Sequence, residues 1–256
     1  MFKKVFVIFF LFFLSKIAYG AHPLITDDTG TQGTNKIQIE INSEYSIDNE
    51  KENRVSIKEK SVEVATILSY GISDNADIIL GIPYQWFRIE ENDLTVEKEE
   101  GLTDISLELK WRFFQKDGLS FALKPGITLP IGDEDKGLGT GKVTYKLFFI
   151  TTKEIEPWAF HLNLGYIKNE NKVNERKDLW HISLASEVEV TKGLKAVANV
   201  GIEKNSDETS NTHPAFILGG LIYSIIENID VDFGIKAGLN KQEKDLTFLA
   251  GILFRF

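Results

Sequence analysis

Cysteine is absent from the 256 residues and the single methionine is the initiator. No disulfide framework, thiolate metal site or thiol nucleophile is therefore available. Histidine is scarce, with four residues and no HExxH spacing, so the sequence offers no zinc site. Positive charge is in deficit, 29 Lys and Arg against 38 Asp and Glu, which argues against nucleic acid because phosphate binding demands a basic surface. Proline numbers only six, and no Pro-, Gly- or Ser-rich linker divides the chain, so one domain is expected despite the length. Long apolar runs are missing too. The one uninterrupted stretch, Val5 to Leu14, falls well short of the roughly 20 residues a membrane-spanning helix needs.

That stretch follows Lys3-Lys4 and precedes Ala18-Tyr19-Gly20, with small residues where a signal peptidase reads. Residues 1–20 are expected to be a cleaved secretory signal, with the mature chain starting near Ala21. The other end carries an amphipathic strand whose alternate positions Phe248, Ala250, Ile252, Phe254 and Phe256 are apolar. A soluble domain avoids such an edge. A closed barrel has none, and Phe254 and Phe256 together suit the terminal signal of outer-membrane barrel assembly.

Between the two ends the chain alternates with a period of two in about twelve segments of roughly the length a tilted transmembrane strand requires. Clear examples place Ile37, Ile39, Ile41, Tyr45 and Ile47 on one face, then Val62, Val64, Leu68, Tyr70 and Ile72, then Ile78 to Trp86, then Ile105 to Phe113. Further segments span 119–129, 143–149, 158–166, 180–190, 194–202, 215–225 and 229–239 before the last strand. Tight turns at 73–77, 115–118, 191–193 and 227–228 alternate with long charged connections at 49–56, 90–101, 131–141, 168–177 and 204–212. Short turns on one side and long loops on the other is the arrangement of an all-β, antiparallel, up-and-down outer-membrane barrel, here over residues 35–256. Aromatics sort accordingly. Tyr70, Trp111, Trp158 and Tyr223 lie beside short turns, and Tyr45, Trp86, Tyr166 and Trp180 beside long loops, giving two interfacial girdles.

The opposite parity faces the lumen. It carries Glu40, Glu44, Glu63, Glu108, Glu187, Asp230 and Asp232 against Lys110, Arg112, Lys124, Lys142, Lys146, Lys195, Lys236 and Arg255, with His181 among them. The signs nearly balance, which disfavours a simple charge-selective pore. Either opposite charges pair across a filled barrel, or a water-filled path admits small solutes, including apolar ones given Phe87, Phe114 and Phe148 at lumen parity. Twelve strands enclose more space than the eight-stranded barrels that side chains can fill, which favours passage.

Other motifs carry less. His181-Ile-Ser183 pairs a base with a hydroxyl, but both face the lumen rather than lipid, so a hydrogen-bonded structural role is favoured over catalysis and no catalytic residue is assigned. Asp133-Glu134-Asp135 suits either Ca²⁺ or a solvated loop. Gly137-Leu-Gly139-Thr-Gly141 lacks the lysine and helix of a phosphate loop and is expected to be flexible. No cofactor or metal is implied.

His22 to Gly33, Gly101 to Phe113, Lys124 to Asp133 and Lys136 to Gly141 together resemble the outer-membrane transporter family named for the meta-pathway of phenol degradation. The resemblance covers the mature chain. It implies a bacterial outer-membrane barrel, surrounded by lipid and lipopolysaccharide and inserted by the barrel-assembly machinery, that passively admits small hydrophobic or aromatic compounds, and it supplies no catalytic residues. Residues 21–34 then form either a small lumen plug or a disordered periplasmic tail. A structural or surface-recognition barrel is the alternative function, and an outer-membrane lipase or protease a third.

Overall fold

The structure is a computed structural model that describes residues 22–52 and 55–256. The expected signal at 1–20 and Ala21 lie outside the described residues. Thirteen strands follow one another: β1 (Ile37–Glu52), β2 (Val55–Ser73), β3 (Ala76–Glu91), β4 (Leu94–Leu102), β5 (Ile105–Lys116), β6 (Leu119–Leu129), β7 (Thr144–Ile155), β8 (Trp158–Lys168), β9 (Asp178–Thr191), β10 (Leu194–Glu203), β11 (Ala215–Ile226), β12 (Ile229–Gly238) and β13 (Leu246–Arg255). Every pairing is antiparallel between neighbours, and β1 closes on β13 with Ile39 opposite Phe254 and Tyr45 opposite Phe248. The Phe256 amide donates to the Ile37 carbonyl at 2.8 Å and its carbonyl accepts from the Ile37 amide at 3.1 Å, completing the seam. β3 pairs with β5 along Ala76–Gly81 and with β4 along Tyr84–Glu91, so β4 and β5 form one broken stave and the barrel has twelve.

The alternation seen in the sequence becomes the two surfaces of the wall. Ile41, Ile78, Leu107 and Ile235 each leave about 40% of their surface exposed on the outside (42%, 42%, 41% and 42%), while their chain neighbours turn inward. Such a continuous apolar exterior is untenable in water and is the buried face in a bilayer. Two-residue turns at 74–75, 117–118, 156–157, 192–193 and 227–228 close one end. Asp117 (φ 50°) and Gly118 (φ 71°) adopt the left-handed backbone that a two-residue hairpin needs.

Several expectations are corrected. The connections at 49–56 and 90–101 are not loops but ribbon. β1 and β2 remain paired as far as Glu52 and Val55, and β3 turns into β4 through Asn92 (φ 47°) and Asp93 (φ 65°). Tyr45 and Trp86 accordingly sit in mid-strand, level with one another through Val62, and charged strand continues past them. A register shift between Arg112 and Phe114 turns Phe114 outward, where it is exposed and packs on Phe121. A bulge of this kind flips the parity of whatever follows it.

Inside the wall lie three buried apolar clusters. One joins Ala122, Phe148, Ile150, Ile167 and Leu179, a second Leu24 with Ala185, Val197, Phe216, Leu218 and Leu249, and a third Ile57, Phe87, Ile89 and Leu138. Among the described residues no helix is long and apolar enough to cross a membrane.

Candidate functional site

Residues 22–33 lie against the inward-facing side chains of the wall. From the β12 side to β3, wall side chains take hold of the segment in turn. Asn199 of β10 accepts from the Ile25 amide (2.8 Å) and the Thr26 amide (3.0 Å) and donates to Thr26 Oγ1 (2.7 Å). Asn163 of β8 accepts from the Asp27 amide at 2.8 Å and donates to its carbonyl at 2.7 Å. Thr152 of β7 accepts from the Thr29 amide, Ser120 of β6 bonds the Thr29 hydroxyl, and Asp77 of β3 accepts from the Gln32 amide with both oxygens. The segment leaves over Asp74, whose carboxylate takes the Thr34 amide and hydroxyl. A segment outside the strand ladders is thus satisfied by wall side chains, as buried backbone requires.

Glycine makes the room. A Cβ on Gly220 or Gly234 would stand 2.8 Å from Pro23, and one on Gly251 would stand 2.6 Å from the ring of His22, whose Nδ1 bonds Asp232 at 2.5 Å. Gly220, Gly234 and Gly251 of β11, β12 and β13 are therefore the bed of the start of the N-terminal segment.

Charge gathers where the segment crosses β5 to β7. The Asp27 carboxylate bridges Lys110 (2.8 Å) and Lys124 (2.7 Å); Lys124 also lies 3.5 Å from Glu108, which meets Lys146 at 2.5 Å. The Lys124 side chain has no exposed surface, and Asp27, Glu108, Lys110 and Lys146 are at most 10% exposed. Burying such charges is tolerable only because each has an opposite partner, and removing one member costs about 3–5 kcal/mol in such settings. Lys124 also lies 5.8 Å above the Phe148 ring.

The other lumen-parity residues scatter around the wall in smaller groups. Glu40 accepts from Gln38 and Asn42. Glu44 and Glu63 stand opposite each other in the β1–β2 register, with Lys244 nearby bonding Ser61 and lying 3.6 Å from Glu59. Lys236 pairs with Glu243 at 2.8 Å. At the short-turn rim, Arg255 meets Asp230, Lys195 meets Glu187 at 3.2 Å, and Arg112 donates to the Asp74 carbonyl. Lys142 departs from the expectation. It precedes β7, on the long connection before it, and its side chain is exposed. The aromatics of the expected girdles, Tyr70, Trp111, Trp158 and Tyr223 at one end and Tyr45, Trp86 and Tyr166 towards the other, are exposed on the outer surface, with Trp180 half-buried against the His213 ring.

The connection 130–143 at the long-loop end is a folded loop rather than a flexible one. Asp104 accepts from the Gly132 amide, the Thr140 amide and the Thr140 hydroxyl, drawing residues 130–143 inward. Leu138 at its tip is 2% exposed, against Ile57, Phe87 and Ile89. Gly132 permits the fold, since a Cβ there would lie 2.0 Å from the Leu138 carbonyl oxygen. The Asp133-Glu134-Asp135 run is a capped 3-10 turn whose Glu134 meets Lys172 at 2.5 Å, and that lysine holds the Glu134 carboxyl below its usual range. No cluster of metal-ligating groups occurs among the described residues.

His181 and Ser183 lie together, Nε2 to Oγ 2.9 Å, with Glu203 at 3.3 Å from Nδ1. This meets the nucleophile, base and orienter distances. It lacks a set of free donors for an oxyanion, because the neighbouring backbone amides belong to the β8–β9–β10 ladders. Phe148 packs on the His181 ring at 5.7 Å, and the pair is explained by packing and mutual hydrogen bonding.

Asn163 and Asn199, the principal holders of the segment, were missed by sequence reasoning that weighed charge alone. Their signal is present: an asparagine at inward parity in mid-strand, where β-propensity disfavours it.

The fold is similar to the crystal structure of an outer-membrane channel from Pseudomonas putida F1, with a TM-score of 0.69, 12% identity, and coverage of 90% of this chain and 98% of that one. It is also similar to the translocator domain of the autotransporter NalP from Neisseria meningitidis (0.55, 11%, 88% and 89%) and to the toluene transporter TbuX from Ralstonia pickettii (0.50, 9%, 87% and 89%). At these identities the likeness establishes an outer-membrane barrel fold. No curated protein sequence matches the chain. The family model described as "Putative MetA-pathway of phenol degradation" matches residues 26–256, and the chain belongs to that family.

Proposed function

We propose that the chain is an outer-membrane channel for the passive entry of small aromatic or other apolar solutes, with its short turns in the periplasm and its long loops outside. The observation that carries this is an apolar stripe on the inner wall. It descends from Ile167 and Leu179 near the long-loop end through Phe148 and Ile150 to Ala122, beside the seat of Thr29. The interior of an outer-membrane barrel is ordinarily polar, and a barrel of this strand count has no need of apolar filling on one side. The stripe is buried, so passage requires lumen fillings that can move. The N-terminal segment and the Leu138 loop are two fillings that are not wall. The family's description, the Pseudomonas channel and the toluene transporter support the same reading. An export signal, insertion by the barrel-assembly machinery and contact with lipopolysaccharide belong to it.

The test is initial uptake of radiolabelled small aromatic compounds, an aromatic acid among them, by cells with a lipopolysaccharide outer leaflet. Cells carrying the protein should take them up faster than cells lacking it, and Phe148→Asp should remove the difference. Equal rates with and without the protein would dismiss the channel. The β1–β4 ribbon standing beyond Tyr45 and Trp86 favours surface recognition as a second reading. Shortening both hairpins should then abolish partner binding while uptake continues. No enzymatic activity is part of the proposal.

A further inference from the structure

Three lysines, Lys110, Lys124 and Lys146, converge from β5, β6 and β7 in one part of the lumen, where Glu108 of β5 and Asp77 of β3 stand among them. Among these wall groups three positive charges face two negative ones. The inserted segment adds carboxylates of its own: Asp28, whose charge also reaches Lys110, and Asp27, whose two carboxylate oxygens go one to each of two lysines. The wall has thus built a carboxylate receptor for a group that is not part of the wall. Directly beside it, Lys124 overlies the Phe148 ring, the middle of the apolar stripe.

We propose that Lys110 and Lys124 form a carboxylate site, filled at rest by Asp27 and taken over by the carboxylate of an aromatic acid whose ring lies along the Phe148 stripe. Occupation by the solute releases Asp27 and loosens the segment, so the solute itself opens the lumen. The chemistry is simple exchange of one carboxylate for another on the same two ammonium groups, with no net change of charge at the site. The inference rests on reading the lumen as a passage, and it names the class of solute.

The chain has no cysteine, so a single thiol reports the segment. In the purified full-length Thr29→Cys variant, the labelling rate by a water-soluble maleimide is measured alone, with benzoate and with benzyl alcohol. Thr29 is buried against Ser120 and Thr152, so labelling of the resting protein should be slow. Benzoate should raise the rate roughly tenfold, corresponding to about 1.4 kcal/mol of competition, and benzyl alcohol should not. Adding Asp27→Asn should make labelling fast and indifferent to benzoate. Adding Lys124→Met, or Lys110→Gln if the first variant does not fold, should abolish the benzoate effect. Equal responses to benzoate and benzyl alcohol, or no response to either, would overturn the site. Absence of uptake in cells with an intact benzoate response would instead overturn the channel and leave the site standing.

Discussion

Replacing both Asn163 and Asn199 by alanine should free the inserted segment between Ile25 and Asp27. The two side chains make five hydrogen bonds to it: to the Ile25, Thr26 and Asp27 amides, the Thr26 hydroxyl and the Asp27 carbonyl. At about 1 kcal/mol net for each bond, the loss is about 5 kcal/mol, an upper figure because water re-pairs part of what is broken. That corresponds to three to four orders of magnitude, roughly, in the ratio of docked to released segment. Amide hydrogen exchange reads this ratio directly, since each amide exchanges only from the opened state. In the variant, the amides of Ile25, Thr26 and Asp27 should exchange about a thousand times faster, or more, while the ladder amides of β8 and β10 keep their protection. The salt bridges of Asp27 and the contacts of Gln32 with Asp77 remain and limit the opening to this stretch. Unchanged protection at the three amides would show that the asparagines do not hold the segment.

Gly132→Ala should displace the 130–143 loop, because its new Cβ would meet the Leu138 carbonyl; protease cleavage within the loop should rise sharply while the barrel core resists digestion. Leu138→Ala, removing an apolar side chain that is 2% exposed, should loosen the same loop by about 2–5 kcal/mol, measured by exchange of the Thr140 amide. Ser183→Ala should leave His181 Nε2 without its partner and lower barrel stability by about 1–3 kcal/mol in denaturant titration, with no change in hydrolysis of lipid or peptide substrates. The Lys172 ammonium depresses the Glu134 carboxyl, so the contact between their loops is present above the ordinary carboxylate range and is lost as pH falls through the depressed value. Titrating the Glu134 carboxyl carbon by NMR should show a midpoint below that of a free glutamate, abolished by Lys172→Met and weakened by salt.

The wall was legible in the sequence because lipid and lumen impose opposite chemistry on alternate residues. Pairs such as Ile41 with Asn42 and Leu107 with Glu108 declare their sides without any long-range information. β4 was not, since most of Leu94–Leu102 lies on a ribbon beyond the Trp86 level and both of its faces are exposed or half-exposed. A strand without two contrasting environments loses its period. Phe114 was misplaced because a bulge, unlike a turn, leaves no residue signature in Arg112-Phe113-Phe114. Lys142 fell outside the wall because parity was extended through a loop whose course depends on Asp104, 28 residues from Gly132. The seat of the N-terminal segment depended on contacts up to 210 residues apart, such as His22 with Asp232. Its only local traces were the inward glycines at 220, 234 and 251 and the two mid-strand asparagines, which become meaningful once another piece of chain is known to lie against them.

Single-channel conductance bears most directly on a passage filled by its own N-terminal segment. The intact protein in planar bilayers should conduct little, and the Asn163→Ala/Asn199→Ala variant with Asp27→Asn added, which removes the salt bridges as well, should open to larger steps at the same protein density. Equal conductance in the two would mean that the segment does not govern the path through the barrel.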